Sequence, residues 1–212
     1  RSLQKISQYF SFLKKNDKVF IKESYLGTIN QFILELKLKQ LPIIWQDNSI
    51  FFPCRDLNIR NRIKLSANAS SKIYEMIRDN LPFDLPIYVV EGLSSLKTSL
   101  RDLNWPKKPQ KIFTSNSFWG DEIFKHYVAE NVDRGSEYIV GQHGNAYGTR
   151  FSHDHSVEYV TCDKFLTWGQ NFDEKEIVGG NFCPGIKKSN FNSNGGLLII
   201  NKGRPIRSRT YD

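Results

Sequence analysis

The residues best equipped for chemistry lie in one short stretch, Gln142-His143-Gly144-Asn145-Ala146-Tyr147-Gly148. His143 can exchange a proton near neutral pH, because a free imidazole titrates at about 6.5. Gly144 and Gly148 allow positive φ and a close approach of ligand to backbone. Gln142 and Tyr147 bring an amide and a hydroxyl suited to sugar hydroxyls. Downstream follow Arg150, His153, Asp154, His155, Glu158 and Asp163. Glu158 and Asp163 are candidates to orient His143 as a carboxylate does in a triad, or to bind substrate hydroxyls. The ordinary alternative for either is capping a helix or pairing with Lys or Arg. His153 and His155 would share one face of a strand, with Asp154 on the other. Spacing supplies no third ligand, so no metal is expected.

Several chemistries are excluded by pattern. The strand-end turn presents His rather than Ser and no GxSxG occurs, which argues against a Ser-His-Asp hydrolase. No G-x-G-x-x-G follows a strand and no phosphate-binding P-loop is present. Cys54, Cys162 and Cys183 are odd in number and far apart, so reduced, mostly buried thiols are expected. The net charge of +8 comes from scattered basic residues with no nucleic-acid-binding motif beside them. A solvated basic face, lying near anionic lipid, fits better than nucleic acid.

The chain that positions these residues has 212 of them, 39% hydrophobic and 13% aromatic, enough for a well-filled α/β core. No apolar run approaches the roughly 20 residues that span a bilayer. Residues 1–20 mix Lys, Gln, Asn and Ser through their apolar positions, unlike a signal peptide, so a cytoplasmic protein is expected.

Leu3, Ile6, Phe10 and Leu13 recur at helical spacing, as do Ile29, Phe32, Ile33 and Leu36 in a helix expected over 26–39. Pro42 closes the latter. Residues 43–65 show no clear period. A helix over 67–80 with Ala69, Ile73, Met76 and Ile77 on one face precedes a loop bracketed by Pro82 and Pro86. Ile87 to Glu91 admits a strand, but the leucines at 93, 96, 100 and 103 favour a helix over 90–103.

Strands are expected at 111–114 and 137–141, with a helix between them that opens on Asp121 and Glu122 and stops at Gly135. A further strand covers 164–168, a loop or linker 170–194, and a buried strand 195–201. Strand, helix, strand at this spacing implies a Rossmann-like parallel sheet flanked by helices. Ligands in such sheets bind beyond the strands' carboxyl ends. That selects Thr114 to Ser117, with Ser115 and Asn116 as binding groups, then Gln142 to Gly148, and Trp168-Gly169.

Ile112 to Phe118, Asp121, Phe124-Lys125 and Ala129-Glu130, then Gln142-His143-Gly144 with Tyr147-Gly148, then Asp163 to Gly169, together resemble a family of bacterial transferases. That family is associated with O-antigen and other surface-polysaccharide synthesis. The resemblance is strong over about residues 105–170, and the pairing of QHG with D-x-F-x-x-W-G carries it. Asn145 stands where the family often has a second Gly.

The resemblance implies a GT-B-like pair of Rossmann-like domains, the first holding the acceptor and the second an activated donor. On that expectation residues 1–185 are the acceptor-side domain. Residues 186–212 are a linker and the first strand of a truncated donor domain, because the chain starts without Met and stops as a new α/β unit opens. Such a fragment would be inactive alone. The implied reaction transfers a sugar from a nucleotide-activated sugar to a glycan or lipid-linked acceptor, at the inner face of the cytoplasmic membrane. It needs no metal and no cofactor beyond the donor. His143 would be the base for inversion, whereas retention would call on Asp154, Glu158 or Asp163 as nucleophile. The competing reading is a non-catalytic module that binds a glycan or partner through the same surface.

Overall fold

The computed structural model describes residues 18–45, 54–66, 70–144, 147, 156–169, 171, 173–181 and 194–196. Its centre is a parallel sheet of five strands, β1 (Val19–Lys22), β2 (Lys111–Thr114), β3 (Glu137–Gly141), β4 (Lys164–Thr167) and β5 (Glu176–Val178), in the order 1-2-3-4-5. Phe20 stands opposite Ile112, Ile112 opposite Tyr138, Val140 opposite Phe165 and Phe165 opposite Glu176. Among the described strands the order never reverses. Right-handed crossovers stepping in one direction put their helices on one face. No switch-point crevice arises between these strands, so their carboxyl edge alone sets the ligand side.

The side-chain period of two then sorts each strand. Phe20, Ile112, Tyr138, Val140 and Phe165 form the helix-bearing face and are all buried. Helix α6 (Glu122–Val132), between β2 and β3, lays Ile123, Phe124, Tyr127 and Val128 on that face. Its start is cut by Asp121, whose carboxylate accepts the Phe124 N–H at 2.9 Å, and Gly135 (φ 95°) turns the chain back into β3. Helix α7 (Val157–Thr161), between β3 and β4, adds Tyr159 to the same core.

Between β1 and β2 the chain makes α1 (Thr28–Lys37), α2 (Leu57–Arg62), α3 (Lys72–Asp84), α4 (Ile87–Val90) and α5 (Leu93–Asp102). Only α5 delivers leucines, Leu96 and Leu100, to the core. The apolar stripe expected on α1 faces out instead: Ile29, Ile33 and Leu36 are exposed while Gln31 and Glu35 are buried. A polar chain holds the helix this way round. Ser24 donates to Gln31 (2.8 Å), Gln31 to Glu35 (3.0 Å), and the other Glu35 oxygen takes the Ile43 N–H (3.0 Å). Ile73, Met76 and Ile77 of α3 are exposed as well.

Pro82 does not begin a loop. It sits inside the last turn of α3, where the Arg60 guanidinium takes the carbonyls of Pro82, Phe83 and Leu85 at 2.7–3.1 Å. The segment Ile87–Val90 is a short helix, not a strand. Two strands escaped the sequence: β1, and β5 inside the stretch expected to be linker. Both are short, and neither alternates long enough to announce itself. The expected helix over 1–15 and the boundary at 185/186 lie outside the described residues, as does residue 197 onward. No helix among the described residues is long and apolar enough to cross a membrane.

Arg60 is 0% exposed and meets Glu91 in a two-pronged pair, both bonds 2.7 Å. Arg60 holds the Glu91 carboxyl down at about 2. A carboxyl depressed on folding contributes stability above its unfolded value of about 4.3, and that contribution is lost as pH falls toward 2. Thermal midpoints recorded between pH 5 and pH 2 therefore drop steeply for the wild type. Glu91→Gln, which strands a buried guanidinium, lowers the midpoint at pH 7 and flattens the acid slope. An unchanged slope would mean the pair does not hold these helices together.

Candidate functional site

The carboxyl ends of β1 to β4 converge on one edge, and their loops are tied to each other. Ser115 donates its N–H to the Glu23 carbonyl (3.0 Å), and Ser117 donates its hydroxyl to the Glu23 carboxylate (2.8 Å). Thr114 Oγ1 accepts the N–H groups of Asn116 and Ser117, closing the turn after β2. Lys22, fully buried at the end of β1, pairs with Asp121 at 2.7 Å and so fastens that edge to the start of α6. Gln142 clasps β3 to β4. Its side-chain N–H goes to the Gly144 carbonyl (2.7 Å), its side-chain oxygen accepts the Trp168 N–H (2.9 Å), and its backbone carbonyl accepts the indole N–H (3.0 Å).

His143 leaves this clasp as a half-buried side chain walled by three rings. Tyr25 lies nearly parallel to it at 6.3 Å, Phe118 is at 5.7 Å, and Tyr147 is edge-on at 5.2 Å. Tyr147 Oη is 2.6 Å from His143 Nδ1 and 2.9 Å from Glu158 Oε1. Glu158, 4% exposed, reaches in from the first turn of α7.

The order of these bonds assigns the tautomer. A phenol has one hydrogen, and a carboxylate only accepts. Tyr147 therefore donates to Glu158, Nδ1–H donates to Tyr147, and Nε2 keeps its lone pair. Among the described residues Nε2 has no hydrogen-bond partner. Burial lowers the His143 pKa, and the Glu158 charge only partly restores it, so the ring is neutral at pH 7. Burial and Glu158 push the Tyr147 phenol far up, which keeps it protonated as a relay. The arrangement is a proton acceptor backed by a buried carboxylate through one hydroxyl, a triad-like chain with tyrosine interposed.

Of the candidates named from sequence, His143, Tyr147, Glu158, Gln142 and Gly144 come together here, with Ser115 and Asn116 one strand away. Gln142 and Ser115 are buried and occupied in joining loops rather than presenting free groups. Asp163 lies at the other end of the sheet, where its carboxylate takes the Tyr138 N–H at 2.7 Å. Five residues of extended chain separate Tyr138 from His143, roughly 16 Å. Gly148, Arg150, His153, Asp154 and His155 lie outside the described residues. Among the described residues no three metal-ligating side chains converge. Burial pushes the Cys162 thiol up to about 11, while Cys54 is exposed rather than buried, and Cys183 is outside the described residues.

What the sequence did not disclose is the turn after β1. Glu23 (φ 49°) and Tyr25 (φ 58°) both hold left-handed backbone that non-glycine residues rarely adopt. The distortion sets Tyr25 over the imidazole, and no local glycine marks either position. Gly141 shows the same crowding from beneath. A Cβ there would sit 2.8 Å from both the Phe113 ring and Ser115 Oγ. Gly141→Ala should cost about 1–3 kcal/mol by overpacking, read as a shift in the urea midpoint. A neutral result would show that the Phe113 ring turns aside freely.

These features define a Rossmann-like α/β protein with a histidine–tyrosine–glutamate hydrogen-bond chain at its sheet edge. The family model described as LIC12162 family transferase matches residues 1–210, and the chain belongs to that transferase family. No curated protein and no solved structure matches it.

Proposed function

We propose that this chain is the acceptor side of a sugar transferase acting on surface glycans, with His143 Nε2 as the base. The observation that carries the reading is the Glu158–Tyr147–His143 relay, which leaves one basic nitrogen at the carboxyl edge of the sheet with no hydrogen-bond partner among the described residues. In the proposed step the acceptor hydroxyl oxygen bonds to the anomeric carbon while its proton passes to Nε2. The bond from that carbon to phosphate breaks, and the nucleoside diphosphate leaves with the electron pair. Glu158 balances the new imidazolium charge through Tyr147. Tyr25, 40% exposed beside the imidazole, and Trp119, 54% exposed and packed on Phe118, suit the apolar face of a sugar ring. The described carboxylates among the candidate nucleophiles, Glu158 and Asp163, are engaged with Tyr147 and with the Tyr138 N–H, which favours a single displacement with inversion.

The donor is then a nucleotide-activated sugar, held by a second, GT-B-like domain following residue 185, and the acceptor a glycan, free or lipid-linked, at the inner face of the membrane. The test is full-length protein with a panel of nucleotide sugars and glycan acceptors, with the product anomer read by NMR. An inverted product that Tyr147→Phe slows by roughly 10–100-fold supports the relay. Glycan binding without transfer from any donor would favour a binding module, and a retained product would remove the single displacement.

A further inference from the structure

A cavity of about 290 Å³ opens between the carboxyl ends of α5 and α6 and the Trp105-Pro106-Lys107 turn that leads into β2. It lies toward the amino ends of the strands, away from His143. Four cations line it, Lys97, Arg101, Lys107 and Arg134, against one carboxylate, Glu130. Glu130 is already shared between His126 (3.4 Å) and Arg134 (3.6 Å). Lys107 Nζ serves the carbonyls of Arg101 and Leu103, an ordinary task for a cation at a helix end. Among the described residues Lys97 and Arg101 meet no carboxylate.

The second observation is Asn131, which is 2% exposed and lines the same cavity. Its Nδ2 donates to the Tyr127 carbonyl at 2.8 Å. That bond fixes the amide, because a flip would set two acceptors against each other. Among the described residues its Oδ1, itself buried, has no hydrogen-bond partner. A buried acceptor left unpaired is costly, so a donor reaching it from the cavity that Asn131 lines would be favoured together with an anion.

A bare anion answers only the charge. A phosphate ester on a hydroxyl-bearing carbon chain answers both, with its phosphate toward Lys97 and Arg101 and a hydroxyl donating to Asn131. The volume suits a ligand at the small end of the pocket range. We infer that this cavity binds a phosphorylated polyol, a class that includes soluble sugar phosphates and phosphoglycerol headgroups.

Calorimetric titration of the full-length protein with glycerol 3-phosphate, inorganic phosphate and glycerol tests this. Glycerol 3-phosphate should bind about tenfold more tightly than inorganic phosphate, the worth of one hydrogen bond. Lys97→Gln with Arg101→Gln, both exposed positions, should weaken both phosphates by about tenfold or more. Asn131→Leu should abolish the preference for the ester while leaving phosphate binding. Sedimentation with phosphatidylglycerol but not phosphatidylcholine vesicles, lost in the double variant, would identify a lipid headgroup. Ester binding without sedimentation would identify a soluble ligand. Affinity unchanged by the double variant overturns the inference, as does a preference that survives Asn131→Leu. If Asn131→Leu fails to fold, the wild type still decides, because equal affinity for inorganic phosphate and glycerol 3-phosphate overturns the inference.

Discussion

Under the proposed mechanism, replacing His143 by alanine in the full-length protein lowers transfer by roughly 10²–10⁴-fold, the contribution of a positioned general base. The fold survives, because the imidazole is half-buried and its partners Tyr147 and Glu158 remain bonded to each other. The pH profile gives a second reading of the same group. Burial lowers the His143 pKa below its ordinary value of about 6.5, and the active form is unprotonated. Turnover is therefore flat at neutral pH and falls only as acidity passes that lowered value. Glu158→Gln removes the charge that pulls the value up, so the acid limb moves to still lower pH while the plateau rate drops. Folding follows the same sign. The unfolded chain binds the extra proton first, so this group withdraws stability as pH falls below about 6.5. Near-wild-type turnover in His143→Ala would remove the imidazole from the mechanism.

Phe124→Ala is expected to cost about 3–5 kcal/mol, the largest stability loss of any single truncation proposed for this fold. Its ring is fully buried on α6, 6.3 Å from the rings of Phe20 on β1 and of Tyr138 on β3. It therefore holds the helix against strands on both sides of β2. The rings of Trp105 and Tyr127, packed on Phe20, are themselves locked edge-to-face at 5.1 Å, which limits collapse into the void. Phe124→Leu should lose less than about 1.5 kcal/mol, because volume is largely kept. Urea titration of both variants checks this, and a cost under about 1 kcal/mol for alanine would mean that α6 repacks.

Lys111–Thr114, Glu137–Gly141 and the helix between them were legible because a buried parallel strand is a short apolar run and an amphipathic helix has its own period. The same signals placed His143 at a strand end, which is a local property. α1 was legible as a helix but not in its orientation. Its period of apolar residues is satisfied equally by either face, and the polar chain from Ser24 through Gln31 to Glu35 decided which face turned inward.

The chain's residue types and spacing determined by themselves that this is an α/β protein and that a histidine stands at the carboxyl edge of its sheet. Only the tertiary structure separated Glu158 from Asp163. In sequence the two carboxylates are five positions apart and chemically alike. In space one is buried behind Tyr147, and the other caps the far end of the sheet. The turn at Glu23 and Tyr25 was decided at the same level. Left-handed backbone at non-glycine residues persists only where contacts from other strands hold it, and those contacts come from Ser115 and Ser117, about ninety residues away. Local sequence specifies period and turn chemistry. Which side chains share a proton depends on how strands distant in sequence align their ends.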